Sequence, residues 1–399
     1  MEAVRGGITA PAGFTAAGVF CGIKRRGKDL ALIVSDRPAT AVGTLTTNKM
    51  RASSVEWAAD ILKRGKARAI VANSGNANCC TGRQGEKDTR EMARTIGTAL
   101  GVPRNQVFVG STGVIGQPLP MNRLRHGIRK AAGALSRTGS HAAAEAILTT
   151  DTRPKEIAFR FPVEGKPVTV AGIAKGAGMI APNMATMLAF LTTDAPVNRV
   201  GLQNALRFFV PRTFNAVTVD GEMSTNDMVL LMANGAAPVP MLRLGSRAYR
   251  DFFDAVGRVC KHLAHEIARD GEGVTRLFTI RVTGAARAEQ AEKIARQIAN
   301  SLLVKTMVAG RDPNWGRVAA AVGAAGVPFR PGRLTLRLGQ TVVFRNGEPT
   351  HPGREKLLEE VDRQEVVIGV ELGQGREEAQ MLSTDLTEDY VRINAKYTT

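Results

Sequence analysis

"KGAGMIAPNMATMLAFLTTDA", Lys175 to Ala195, carries eighteen uncharged residues in a row between Lys175 and Asp194. That length reaches the threshold for a membrane span, about 18 apolar residues. Its composition argues against a span. Gly176, Gly178, Pro182, Asn183, Thr186, Thr192 and Thr193 put helix breakers and polar groups where lipid would demand Leu and Ile. The stretch therefore reads as the interior of a folded protein. What the threonine at its centre does is then the question.

The surrounding chain is that of a globular protein. Its 399 residues suffice for two or three domains. A hydrophobic share of 44% with 23% charged residues supports a full core, and 5% aromatic residues leave Val, Leu, Ile and Ala to do most of the packing. The opening "MEAVRGGITAPAGF" has no apolar stretch of the secretory kind. Cys21, Cys79, Cys80 and Cys260 show no zinc or CxxC spacing, and the adjacent Cys79 and Cys80 are poor disulfide partners. A cytoplasmic location is expected. The net charge of +18 is spread thinly, densest in "RLRHGIRKAAGALSR" (Arg123 to Arg137), where no aromatic residue interleaves to stack a base. A solvated basic face that draws in small anions is expected, with no nucleic-acid or membrane partner.

Short β-rich runs recur at 29–36, 68–73, 105–110, 276–284, 333–338, 341–347 and 365–372, bunching β-branched residues and ending at Gly, Asn or Asp. Between them, Tyr249, Phe252, Phe253, Val256, Val259, Cys260, Leu263 and Ile267 keep one helical face apolar. Ala291, Ile294, Ala295, Ile298 and Leu302 predict a second helix. Without strict βαβ regularity, the pattern predicts a layered α/β sandwich with mixed sheets. No internal repeat or linker marks a domain boundary.

Acid–base candidates are few. His262 and His265 form an i, i+3 pair without a third ligand, and no GxSxG elbow accompanies any histidine. Two glycine-rich segments follow strands, "VANSGNANCCTG" and "VFVGSTGVIG". In the second, Ser111, Thr112 and Gly113 could present backbone N–H groups to an anion, or form an ordinary tight turn. "VDGEMSTND" (219–227) and "RDGEGVTR" (269–276) put Asp220, Glu222, Asp227, Asp270 and Glu272 in turn-rich loops, where acids usually cap and solvate. Glu272, between two glycines, is free to point into a cleft.

A threonine hydroxyl needs a base beside it to act as a nucleophile. An N-terminal threonine has one in its own α-amino group, whose pKa of about 7.7–8.0 suits neutral pH. An internal threonine reaches that state if the bond before it is cut by its own hydroxyl. Pro182-Asn183 supplies a turn and Ala185 a small preceding residue. A buried threonine on an apolar strand would look nearly the same.

Six motifs in order, "KGAGMIAPNMATMLAFLTTDA", "NSGNANCCTG", "GSTGVIG", "VDGEMSTND", "LVKTMVAGRDPNWGR" and "DLTEDYVRINAKYTT", make the chain resemble the glutamate N-acetyltransferase / ornithine acetyltransferase family of arginine biosynthesis. The likeness runs from "GGITAPAGFTAAGVFCGIK" to the last residue. It implies a self-cleaving fold of the N-terminal-nucleophile type, like ornithine acetyltransferase and DmpA. It also implies cleavage at Ala185–Thr186, giving an alpha chain 1–185 and a beta chain 186–399 that stay together, two of each. Thr186 would then take the acetyl group of N2-acetylornithine and pass it to glutamate in a ping-pong scheme.

The resemblance assigns the oxyanion hole to Thr112 and Gly113. Substrate contacts fall on Thr152, Lys175, Thr186, Glu272, Asn394 and Thr399. Lys175 suits an α-carboxylate and Glu272 the cationic side chain of ornithine. A chain ending in a motif leads one to expect an ordered C-terminus. No cofactor or metal is implied, though some members also accept acetyl-CoA as donor. Two departures stand out: Glu222-Met223 in place of a shorter acid and a hydroxyl, and Ser383-Thr384 where a cysteine is common. The rival reading is a self-cleaving aminopeptidase or amidohydrolase of related architecture, which differs only in letting water intercept the acyl-threonine.

Overall fold

A computed structural model describes residues 1–181 and 187–396. Contacts divide the chain into two compact units. The first comprises 1–215 and 222–267, and the second 216–221 and 268–397, apart from the last two residues. The chain thus enters the second unit briefly at 216–221, returns, and enters it again. No composition shift marks such a boundary.

Among the described residues of the first unit, nine strands form one mixed sheet. Its order is Glu2–Ala3, Lys155–Val163, Lys166–Lys175, Leu188–Thr193, Met228–Ala233, Leu30–Leu45, Lys66–Asn76 and Val107–Val114, with Phe14–Val19 added on Leu30–Leu45. Leu188–Thr193 runs parallel to Met228–Ala233, and Lys66–Asn76 to Val107–Val114; the other pairings are antiparallel. Side chains alternate across the sheet as its pleat requires. Ala31 and Ile33 face a core with Val55, Ala58 and Ile61 of the helix Ser53–Arg64. Leu30 and Leu32 face the opposite core, with Met92, Ala93 and Ile96 of Gly82–Leu100 and Leu124 and Ile128 of Met121–Gly133. Helices on both faces of a mixed sheet are the layered α/β arrangement expected.

The second unit holds seven strands among its described residues, in the order Glu348–Pro349, Thr341–Arg345, Thr335–Leu338, Glu365–Glu371, Leu277–Ala285, Glu377–Thr384 and Val217–Thr218. The helix Ala288–Ala299 packs Ala291, Ile294, Ala295 and Ile298 against Phe278, Ile280 and Val282. Leu302 does not extend that helix, as its spacing predicted. The helix ends at Ala299, Ser301 caps a new one at Leu302–Ala309, and Leu302 is 66% exposed. A Ser side chain that accepts from the Val304 N–H restarts the backbone ladder in a new direction, which the 3.6-residue pattern cannot register.

Every β-rich run read from the sequence is a strand, and the apolar face at 249–267 lies on the helix Arg247–Arg269. Among the described residues no helix is long and apolar enough to cross a membrane. The Lys175–Ala195 stretch supplies the end of one central strand and all of another; Leu188–Thr193 is buried throughout. Ala185, Thr186 and the C-terminal Thr399 lie outside the described residues.

Candidate active site

Thr112 and Gly113 do not sit in a loop after a strand. They belong to the strand Val107–Val114, and its partner Lys66–Asn76 takes in Asn73, Ser74, Gly75 and Asn76. The parallel pairing shifts register at Gly75–Asn76, beside Gly113. Gly113 has φ of 133°, and a Cβ on it would lie 2.3 Å from the Gly75 carbonyl carbon. Only glycine lets the two backbones come this close. Thr112 is 3% exposed.

Four buried asparagines brace this corner. Asn73 accepts from the Ser111 hydroxyl at 2.7 Å and donates to the Asn76 carbonyl at 2.8 Å. Asn76 accepts from the Asn78 N–H at 2.8 Å, and Asn78 donates to Gly85 and to the Thr89 hydroxyl. Asn226, from the "STND" turn, donates to the carbonyls of Ala77 at 2.6 Å and Ser111 at 2.8 Å. Asn73 and Asn226 thus use their amide hydrogens on backbone carbonyls at the strand ends, Asn76 on the Gln117 and Pro118 carbonyls, and Asn78 on the helix Gly82–Leu100.

The "STND" turn is not the solvated loop its composition predicted. Ser224, Thr225, Asn226 and Asp227 are all buried, and Asp227 is wholly so. Met187, the residue after Thr186 in the chain, donates its N–H to Asp227 Oδ1 at 2.8 Å, while Oδ2 has no hydrogen-bond partner. Burial raises the Asp227 carboxyl well above its ordinary range, against the Met187 N–H and the positive charge of Lys175. Asp227 heads the apolar strand Met228–Ala233, so its depth follows from that strand's central place in the sheet.

Lys175 ends its strand with a side chain 2% exposed. Its ammonium donates to the Thr149 hydroxyl at 2.8 Å and lies 3.7 Å from Asp151 Oδ2. Asp151 also accepts from Lys155 Nζ at 2.7 Å and from the Gly176 N–H at 2.6 Å. Burial alone would raise Asp151, but Lys175 and Lys155 outweigh it and hold the carboxyl well below the usual range. Thr152, the next residue, is exposed.

In the second unit, Glu272 is 9% exposed and accepts from Asn394 Nδ2 at 2.8 Å, which brings two of the expected substrate contacts together. The glycine after Glu272 makes this contact fit: Gly273 has φ of 69°, and a Cβ there would meet the Tyr390 nitrogen at 2.4 Å. The Thr387 hydroxyl closes the corner on the Gly273 carbonyl at 2.7 Å. Ser383 and Thr384, the second departure, have a definite role. The buried Lys305 ammonium donates to the Thr384 carbonyl and reaches the Thr384 and Ser383 hydroxyls at 3.1 and 3.4 Å. Burial pushes Lys305 down to about 8. A cysteine sulfur would be a weaker acceptor there.

Asp151, Lys155, Asn226 and Lys305 escaped the sequence reading, which placed Asp227 in a turn-rich loop where acids cap and solvate. Asp151 stands beside Thr152, and Asp227 directly precedes "MVLLMA"; a charge abutting an apolar run was the signal available. The first unit thus offers a braced strand end with Thr112 and Gly113, a buried lysine fit for a carboxylate, and a buried acid holding the chain just after Thr186. The second offers a carboxylate fit for a cation.

The sequence is similar to those of known proteins along its length. The ArgJ family model matches residues 15–399. The arginine biosynthesis bifunctional protein ArgJ of Symbiobacterium thermophilum is 51% identical over 402 residues, covering 100% of both chains. That of a Synechococcus species is 47% identical over 409 residues, covering 100% of this chain and 99% of its own. A crystal structure of the Bacillus halodurans ArgJ protein, 42% identical, covers 46% of this chain and 97% of its own with a TM-score of 0.44. With a family model matched over residues 15–399 and relatives this similar from end to end, the chain belongs to the ArgJ family of arginine-biosynthesis bifunctional proteins.

Proposed function

We propose that the protein moves the acetyl group of N2-acetylornithine to glutamate, releasing ornithine and N-acetylglutamate. The observation that carries this reading is membership of the bifunctional ArgJ family along the whole chain. It favours acetyl transfer over a self-cleaving aminopeptidase.

The chemistry runs through an N-terminal threonine. The Thr186 hydroxyl attacks the Ala185 carbonyl, the acyl group shifts from nitrogen to oxygen, and the hydroxyl proton ends on the freed amine. Water then opens the ester, leaving chains 1–185 and 186–399. In turnover the α-amine of Thr186 takes the hydroxyl proton as oxygen attacks the acetyl carbonyl, and that proton leaves with the ornithine amine. Glutamate's amine next attacks the acetyl-threonine. Thr112 and Gly113 stabilise the oxyanion, Lys175 and Thr152 take the α-carboxylate end, and Glu272 with Asn394 takes the cationic end of ornithine. Thr399 is the remaining substrate contact that the family resemblance implies. Acetyl-CoA serves as a second donor, no cofactor is needed, and two copies of each chain assemble in the cytoplasm.

Denaturing intact-mass spectra of wild type and Thr186→Ala test the nucleophile. Two fragments meeting at Ala185–Thr186 in the wild type, and one chain in the variant, are expected. Acetylornithine with glutamate is then assayed for N-acetylglutamate, and acetyl-CoA with glutamate separately. A wild type that stays whole and transfers nothing would remove Thr186 from its role.

A further inference from the structure

Asp151 gathers two lysines in a place with almost no water. The side chains of Lys155 and Asp151 are 0% exposed and that of Lys175 is 2% exposed. A buried ion pair is costly to form and weak evidence for stability, so one carboxylate with two ammoniums invites a reason beyond folding. The chain geometry offers one. Asp151 Oδ1 takes both Lys155 Nζ and the Gly176 N–H, while Oδ2 faces Lys175. Lys175 is thereby tied to Asp151 through its own ammonium and through its neighbour's backbone.

An aspartate that only held Lys175 would also cancel its charge. Lys155, at the start of the adjacent strand Lys155–Val163, balances Asp151 at 2.7 Å, closer than Lys175 at 3.7 Å. Asp227, which feels the Lys175 charge, is buried and displaced towards its neutral form, so it takes little of that charge. At the edge, Lys24 donates to the Leu148 carbonyl at 3.0 Å and adds positive charge.

We infer that Asp151 and Lys155 are positioning residues: Asp151 sets the Lys175 ammonium in place, and Lys155 offsets Asp151 so that Lys175 still presents a positive charge to the substrate's α-carboxylate. The inference rests on the acetyl-transfer reading above. Lys155 touches no substrate; it acts on carboxylate recognition through Asp151 and Lys175. Selectivity for α-amino acids over amines of the same length is the property it controls.

The test uses the full-length protein as wild type, Lys155→Met and Asp151→Asn/Lys155→Met. It compares KM for N2-acetylornithine with the competitive inhibition constant of N-acetylputrescine, the same molecule without its α-carboxylate. Lys155→Met is expected to raise KM for acetylornithine about 10–100-fold, the worth of a charge-assisted contact. Its kcat is expected to stay within about twofold, as for lost uniform binding. N-acetylputrescine binding should not move. The double variant restores the charge count, and the amide oxygen of Asp151→Asn can still accept from the Gly176 N–H and keep the chain beside Lys175 in place, so most of the discrimination between the two molecules should return. Equal weakening of both, or a double variant that discriminates no better than the single, overturns the inference. If Lys155→Met does not fold, the double variant decides: wild-type discrimination supports the inference, and its loss overturns it. A wild type that leaves acetylornithine intact overturns the acetyl-transfer reading first, and is told apart because no variant is involved.

Discussion

The side-chain amide of Asn226 lies 2.8 Å from the carbonyl oxygen of Ser111, so it grips the peptide group whose nitrogen belongs to Thr112. The same amide holds Ala77 at 2.6 Å, and its own oxygen accepts from the Thr225 hydroxyl. One side chain from the "STND" turn thus ties together the ends of two parallel strands. Asn226→Leu leaves two buried carbonyls unsatisfied and frees the Thr112 peptide. A fall in kcat of about 10–100-fold with KM little changed is expected, since misplacement of a pre-set donor is felt mainly in the transition state. Steady-state kinetics check this, and an unchanged kcat would reduce Asn226 to packing.

Thr112→Ala keeps the backbone N–H but removes the hydroxyl, so with the hydroxyl as an oxyanion donor it is expected to bind acetylornithine normally and to turn over about 10²–10³ times more slowly. Calorimetric titration beside initial-rate measurement separates the two effects. Gly113→Ala behaves differently, because its Cβ would press into the Gly75 backbone. A lower melting temperature is expected there before any kinetic effect is read.

Asp227 has a folded-state pKa above its unfolded value, so its stabilising contribution is complete below the unfolded carboxyl pKa, about 3.9. That contribution is lost as pH rises through the raised value, because ionisation then opposes burial. Asp227→Asn cannot ionise and still offers Met187 an acceptor. The melting temperature of the variant relative to wild type is therefore expected to climb as pH rises from about 4 towards the raised value. Thermal unfolding followed by circular dichroism across that range is the check; a constant difference would show that Asp227 is not the group concerned.

Glu272→Gln keeps the acceptor for Asn394 and loses the charge. KM for acetylornithine should rise about 10-fold, the scale of one charge-assisted contact, while KM for glutamate moves much less. Equal rises for both would take Glu272 off the cationic end of the substrate.

How much of this was legible beforehand differs element by element. Runs such as "DLALIVSD" and "EVVIGVEL" declare strands because their neighbours alternate or bunch within a few residues, a property of the local chain. The helix at 288–299 was legible for the same reason, but its end was not. Leu302 continues the apolar spacing, yet Ser301 turns the backbone there. Asp227 and Asn226 were misjudged because turn-rich composition says nothing of depth. Their burial comes from a central strand that starts immediately after them. Thr112, Gly113, Lys175, Glu272 and Asn394 were named from motifs, whereas the groups that hold them were not.

The sequence by itself determined the family, the mixed α/β character and the uncharged stretch that ends in a buried strand, because each is written in consecutive residues. Only the tertiary structure decided that Lys155 and Lys175 share Asp151 and that Asn226 reaches back to Ser111, 115 positions earlier in the chain. It likewise set Asn394 against Glu272, 122 positions earlier. The physical reason is common to all three. A buried charge or amide must find its partners wherever the sheets and helices bring them, and sequence spacing carries no record of that proximity.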